Sequence, residues 1–121
     1  MLINLSNHPY KNWSNSQKEA ASVYGKCVDL PFPRVKATDD DVSVKLLGEC
    51  YFNKIRALSV DGEEITVHLM GEMTFTCYLV SLLHSKGINS VASTSERIVH
   101  EVAPGKKEVK FCFSRFRRYI Q

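Results

Sequence analysis

"ITVHLM" at residues 65–70 runs straight into "GEMTFT" at residues 71–76. The first stretch is β-branched and apolar, the composition of a strand buried on both faces, as in a parallel sheet. The second opens a helix. Phe75, Leu79, Leu82 and Leu83 recur at helical spacing, and Lys86-Gly87 closes it. A strand that feeds a helix in this way is the unit from which covered parallel sheets are built.

The same alternation extends in both directions. Met1–Leu5 reads as a strand, and Ser14-Asn-Ser-Gln17 is a capping box that starts a helix running to Tyr24, with Gly25 at its stop. Cys27–Leu30 is a short apolar run ended by Pro31-Phe32-Pro33. Asp39–Asp41 supplies caps for a second helix over Val42–Leu58, whose apolar positions are Leu47, Cys50, Tyr51, Ile55 and Leu58. Asp61-Gly62 turns the chain into the strand at 65–70.

After the third helix, Ile88–Ala92 reads as a fourth strand that ends in the polar stretch "STSER" at residues 93–97. Ile98–Val102 is apolar again, Ala103–Lys106 makes a turn, and Glu108–Phe116 is a long alternating strand. A turn this short cannot make a parallel crossover, so the last strand pairs antiparallel at the edge. The expected fold class is α/β. It is a single three-layer, flavodoxin-like (Rossmann-like) domain over residues 1–121, mainly parallel, with strand order 2-1-3-4-5.

Composition narrows the class. With 44% hydrophobic and 24% charged residues, the chain has the make-up of a globular domain rather than a disordered one. A net charge of +3 gives no strong signal for duplex nucleic acid. Positive charge gathers near the C-terminus in Lys106, Lys107, Lys110, Arg115, Arg117 and Arg118, either to meet an anion or as the solvated face of an edge strand. No apolar run approaches the ~20 residues of a membrane span. Cys27, Cys50, Cys77 and Cys112 lack metal-binding spacing and sit in apolar stretches, which predicts buried free thiols in a reducing cytoplasm.

In such a sheet, ligands bind outside the carboxyl ends of the strands, where strand order reverses. Three polar segments are expected on that rim: Ser6-Asn7-His8-Pro9, Gly71-Glu72-Met73-Thr74, and Ser93-Thr94-Ser95-Glu96-Arg97. Gly71–Thr74 precedes a helix, whose free N–H groups favour an anion, although Glu72 has the wrong sign to face a phosphate. His8 can move a proton or pair with a phosphate, the hydroxyls of Ser93, Thr94 and Ser95 can donate, and Arg97 can clamp an anion. Each has a structural alternative. His8 would be a hydrogen-bonded scaffold residue, Thr74 a cap, and Arg97 a partner of Glu96 or Glu101. Trp13 and Tyr10 stack on a base or cover the first helix. His68, inside a strand, reads as a packed core histidine.

No nucleotide-binding glycine motif, nucleophile elbow, metal-ligand array or carboxylate pair is present in the sequence, so no metal and no cofactor is expected. Metal-independent cleavage of an RNA-like phosphodiester needs only alignment, oxyanion stabilisation and proton movement, because the substrate carries its own 2′-hydroxyl nucleophile.

With "NLSNHP" ending the first strand and "GEMTF" and "STSER" following the third and fourth, the chain resembles the small CRISPR-associated Rossmann-fold proteins of type III systems. That group includes sensors and ring nucleases for cyclic oligoadenylate second messengers. The resemblance implies an antiviral-defence role and a homodimer that holds the ligand across its two-fold axis. Ser6, Asn7 and His8 would meet one part of the ring, Gly71, Glu72, Met73 and Thr74 its phosphates, and Ser93, Thr94, Ser95 and Arg97 the remainder. His8, Ser93 and Arg97 are the expected catalytic residues. Two other readings stay open: a different small nucleotide- or nucleoside-processing enzyme, and a non-catalytic interaction or assembly domain.

Overall fold

The computed structural model describes residues 1–121. In chain order the elements are β1 (Leu2–Leu5), a 3-10 turn (Tyr10–Asn12), α1 (Asn15–Ser22), β2 (Cys27–Asp29), α2 (Asp41–Ala57), β3 (Thr66–Leu69), α3 (Met73–Ser85), β4 (Asn89–Ala103) and β5 (Lys106–Arg118). They form one α/β unit around a five-stranded sheet ordered β2-β1-β3-β4-β5. The first four strands run parallel and β5 pairs antiparallel with β4.

Capping places the helices. Ser14 Oγ accepts from Gln17 N at 3.2 Å to start α1, and Asp40 Oδ1 accepts from Ser43 N at 2.8 Å to start α2. After α1 and α3 the chain turns at Gly25 (φ 92°) and Gly87 (φ 74°), a backbone region open to glycine and closed to most side chains.

Alternation along the strands divides the core. Ile3, Leu5, Val67 and Leu69 point to one face and pack with Val44, Phe52, Ile55, Phe75, Leu79 and Leu83 of α2 and α3. Leu2 and Val91 point to the other and meet only Trp13 and Ala21 among the buried apolar residues. Each such side chain contributes roughly 1.5–3 kcal/mol when fully buried. Gly48 lets α2 and α3 approach, because a Cβ there would lie 2.6 Å from the Tyr78 ring.

Several expectations are corrected. On α2, Ile55 is buried and Leu47, Tyr51 and the C-cap Leu58 pack partly buried against the core as expected, but Val44, Gly48 and Phe52 complete the buried face and Cys50 faces solvent. Leu82 is half-buried, while Val80 and Thr76 join the inner face of α3. Three of the four cysteines are exposed and Cys27 is intermediate, so flanking apolar residues did not imply buried thiols.

The largest difference is in β4. "STSER" is not a loop: Ser93–Arg97 continue the strand, paired with Phe116–Phe111 of β5 across a bulge at Thr94/Ser95. Antiparallel pairing satisfies these backbones beyond the point where β3 ends. The strands run on as a two-stranded ribbon whose residues from Ser95 to Cys112 are all exposed except Ile98.

Candidate functional site

α1 has only eight residues, and it buries Ala21 alone against the sheet. It leaves uncovered the part of its face that lies nearest the carboxyl ends of β1 and β3. A cleft of about 690 Å³ opens there. Its walls include Ser6, Asn7 and His8 after β1, Trp13 and Gln17 around α1, His68 and Gly71 at β3, and Ser93, Ser95, Phe111 and Phe113 on the ribbon. No lysine, arginine or carboxylate lines it.

One buried amide organises the floor. Asn4, 1% exposed in mid-β1, donates through Nδ2 to the His8 carbonyl and to Asp29 Oδ1, both at 2.8 Å. Its Oδ1 accepts from Ser6 Oγ at 2.8 Å and lies 2.9 Å from His68 Nδ1. The loop after β1 is thus tied to β2 and β3 through a single side chain. Trp13 Nε1 also donates to the His8 carbonyl, at 3.0 Å, which fixes the indole over the cleft floor. Its ring meets His68 edge to face at 5.2 Å, and Phe116 meets His68 from a third side at 5.5 Å.

His68 is 2% exposed, and its second nitrogen, Nε2, lies 3.2 Å from Ser93 Oγ. Burial first, and the neighbouring His8 second, pull its pKa from 6.5 down to about 4. The imidazole is therefore neutral near pH 7. The sequence reading as a core histidine was right about burial and blind to its place in the wall of the cleft.

The expected residues divide. Ser6, Asn7, His8, Gly71, Ser93 and Ser95 share the cleft. Glu72, Met73, Thr74, Thr94 and Arg97 lie outside its lining. Glu72 explains why the start of α3 offers no anion cradle. Its carboxylate accepts from Thr74 N at 3.0 Å and Phe75 N at 2.8 Å, and the Thr74 hydroxyl donates to it as well. These hydrogen bonds, first to Phe75 and then to Thr74, hold the Glu72 pKa below its ordinary value. The amides expected to face a phosphate are occupied by the protein's own carboxylate.

Gly71 has a packing role too: a Cβ there would collide with the Phe32 ring, which lies edge to face on Phe75. Met73 belongs to a separate groove beside Tyr119 and Ile120. Thr94 turns to the β5 backbone, donating to the Arg115 carbonyl at 3.0 Å and accepting from Arg115 N at 3.2 Å. Arg97 stands opposite Phe111, exposed and farther out along the ribbon. No three of histidine, cysteine, aspartate and glutamate gather to hold a metal ion. No helix is long and apolar enough to cross a membrane.

Fold and cleft define a small α/β protein with a polar and aromatic cleft, lined by no lysine, arginine or carboxylate, at the carboxyl edge of a mostly parallel sheet. Over residues 1–117 the chain matches the Uncharacterized protein MJ1673 family, and it belongs to that family. No curated protein and no solved structure matches it.

Proposed function

We propose that this is a Rossmann-like, flavodoxin-like domain whose cleft binds a nucleotide second messenger, cyclic oligoadenylate, in type III CRISPR antiviral defence. One observation carries the reading. Segments after β1, at the end of β3 and along β4 line a single cleft of about 690 Å³, with hydroxyls, amides, imidazoles and aromatic rings but no carboxylate. That volume falls in the ~300–1,000 Å³ range of small-molecule sites, at the position where open α/β sheets take ligands. Rings offer stacking surfaces for bases, and polar groups without negative charge tolerate phosphates.

The ligand would lie between two copies. The cleft is open, and Phe111 on its outer wall is 71% exposed. A homodimer facing cleft to cleft would enclose a ring that one copy leaves half in water.

Cleavage, where it accompanies binding, would need no metal. The ribose 2′-hydroxyl gives its proton to a water in the open cleft as its oxygen attacks the adjacent phosphorus. The bond to the 5′-oxygen breaks, that oxygen leaves with a proton, and a 2′,3′-cyclic phosphate remains. His8, exposed at the mouth, would supply the proton to the leaving oxygen. Ser93 would meet the ribose side, and Arg97 would reach only a phosphate at the outer rim.

A thermal-shift series with cyclic tri-, tetra- and hexa-adenylate, AMP, ATP and flavin mononucleotide tests the reading. A cyclic oligoadenylate at 100 times its Kd adds about 2.7 kcal/mol, roughly 10 °C in Tm for a domain of this size. A shift with mononucleotides or flavin instead would favour another nucleotide enzyme. No shift with any of them would leave an interaction domain as the better description. Incubating the responding ring with protein in EDTA separates cleavage from binding.

A further inference from the structure

The network beneath the cleft fixes the orientation of the Asn4 amide and the tautomer of His68. Asn4 Nδ2 points at two groups that only accept, the His8 carbonyl and Asp29 Oδ1. The amide cannot be turned over without setting oxygen against oxygen. Asn4 Oδ1 therefore faces His68 Nδ1 at 2.9 Å, and Nδ1 must carry the hydrogen. A neutral imidazole has one ring hydrogen, so Nε2 is bare and accepts. The one group within reach to donate to it is Ser93 Oγ, at 3.2 Å.

Ser93 has one hydroxyl hydrogen and two partners behind it, His68 Nε2 and Met70 Sδ, the latter at 3.0 Å. Nitrogen is the stronger acceptor, and giving the hydrogen to sulfur would leave a buried lone pair unmatched. On either arrangement the hydrogen is engaged within the wall. What Ser93 presents to the cleft is oxygen lone pairs.

We propose that Ser93 is a specificity-determining contact that acts as an obligate hydrogen-bond acceptor, selecting a ligand with an O–H or N–H donor at that point. This rests on the nucleotide reading of the cleft. In an adenylate the donors are the ribose 2′-hydroxyl and the exocyclic amine of the base. Asn4 and His68 are positioning residues, since they act on the ligand only by orienting Ser93. The design rejects a ligand whose corresponding group is an acceptor or a methyl ether, because two acceptors would then face each other.

Two measurements test it. The first needs no ligand: the ring nitrogens of His68, read by nitrogen-15 chemical shift at pH 7, should show Nδ1 protonated and Nε2 bare. The opposite tautomer overturns the proposal.

The second compares cyclic tetra-adenylate with two analogues, one methylated at the 2′-oxygens and one lacking the exocyclic amines, on the wild type and on Ser93→Ala and Ser93→Thr. Circular dichroism checks that each variant is folded. The wild type should bind one analogue about tenfold more weakly than the parent, and which analogue suffers identifies the donor. Ser93→Ala should bind that analogue and the parent alike, while Ser93→Thr keeps the discrimination. Undiminished discrimination in Ser93→Ala overturns the assignment of Ser93 alone. Failure of the wild type to bind the parent ring overturns the nucleotide reading, and this proposal with it.

Discussion

His68 Nδ1 lies 2.9 Å from Asn4 Oδ1 across 64 residues of chain, because β1 and β3 are adjacent and their register sets Asn4 opposite His68. Two polar residues at the third position of short, fully buried strands thus become one hydrogen-bonded pair under the cleft. Replacing Asn4 with Ala leaves buried His68 Nδ1 without its acceptor, while the His8 carbonyl keeps Trp13 Nε1 and Asp29 Oδ1 keeps Tyr10 N. The expected loss is about 2–4 kcal/mol in urea unfolding. A loss under 1 kcal/mol would show that water replaces the amide without cost.

The depressed pKa of His68 makes stability depend on pH. The unfolded chain takes up a proton near 6.5 and the folded one only near 4. Between those values the unfolded state holds more protons, so stability falls as pH drops from about 6.5 and levels off below about 4. The gap corresponds to about 3 kcal/mol. Glu72 and Asp40 have folded pKa values below their ordinary 4.5 and 3.8, so the stability they contribute is lost only as pH falls below those values, under the range between pH 7 and pH 5. Urea midpoints at pH 7 and pH 5 should differ in the wild type and converge in a folded His68→Gln variant. A pH-independent wild type over that range would contradict the burial of a neutral His68.

Glu72 caps α3 with its own carboxylate and lies outside the cleft. Glu72→Ala should cost about 1 kcal/mol of stability. It should leave ligand affinity within twofold. A large gain in affinity for an anionic ligand would mean that the α3 amides belong to the site once freed.

Leu79 is fully buried between α3 and the sheet, while Leu82 is only partly buried. Leu79→Ala should cost about 2–5 kcal/mol and Leu82→Ala clearly less. Equal losses in chemical denaturation would mean that the inner face of α3 is assigned to the wrong residues.

The strand order came from the common topology of such sheets and matches the one found. The elements and the single antiparallel edge were legible in the sequence because the apolar runs, caps and Gly-containing turns agree. The length of β4 was not. Ser93–Arg97 look like a loop by composition, yet backbone pairing with β5 holds them extended, and pairing leaves little trace in local residue preference.

The rim was readable as a place and not as a circuit. His8 and Ser93 could be put on one edge from the expected topology. That Ser93 is held by His68, and His68 by Asn4, follows from register across β1, β3 and β4, which no single stretch encodes. The available signal was Asn4 and His68 themselves, polar residues at matching positions of two short, otherwise buried strands. Glu72 was noticed for its sign, but its carboxylate folds back as a cap, which only the geometry resolves.

Trp13 is the one tryptophan of the chain and lines the cleft, with its indole N–H on the His8 carbonyl. Its fluorescence therefore reports occupancy of this site. Titration with cyclic tetra-adenylate should give a saturable change, with one ring bound per two chains and AMP at least a hundredfold weaker. An unchanged emission up to millimolar ring, or equal affinity for AMP, would contradict a cleft built for a cyclic oligoadenylate.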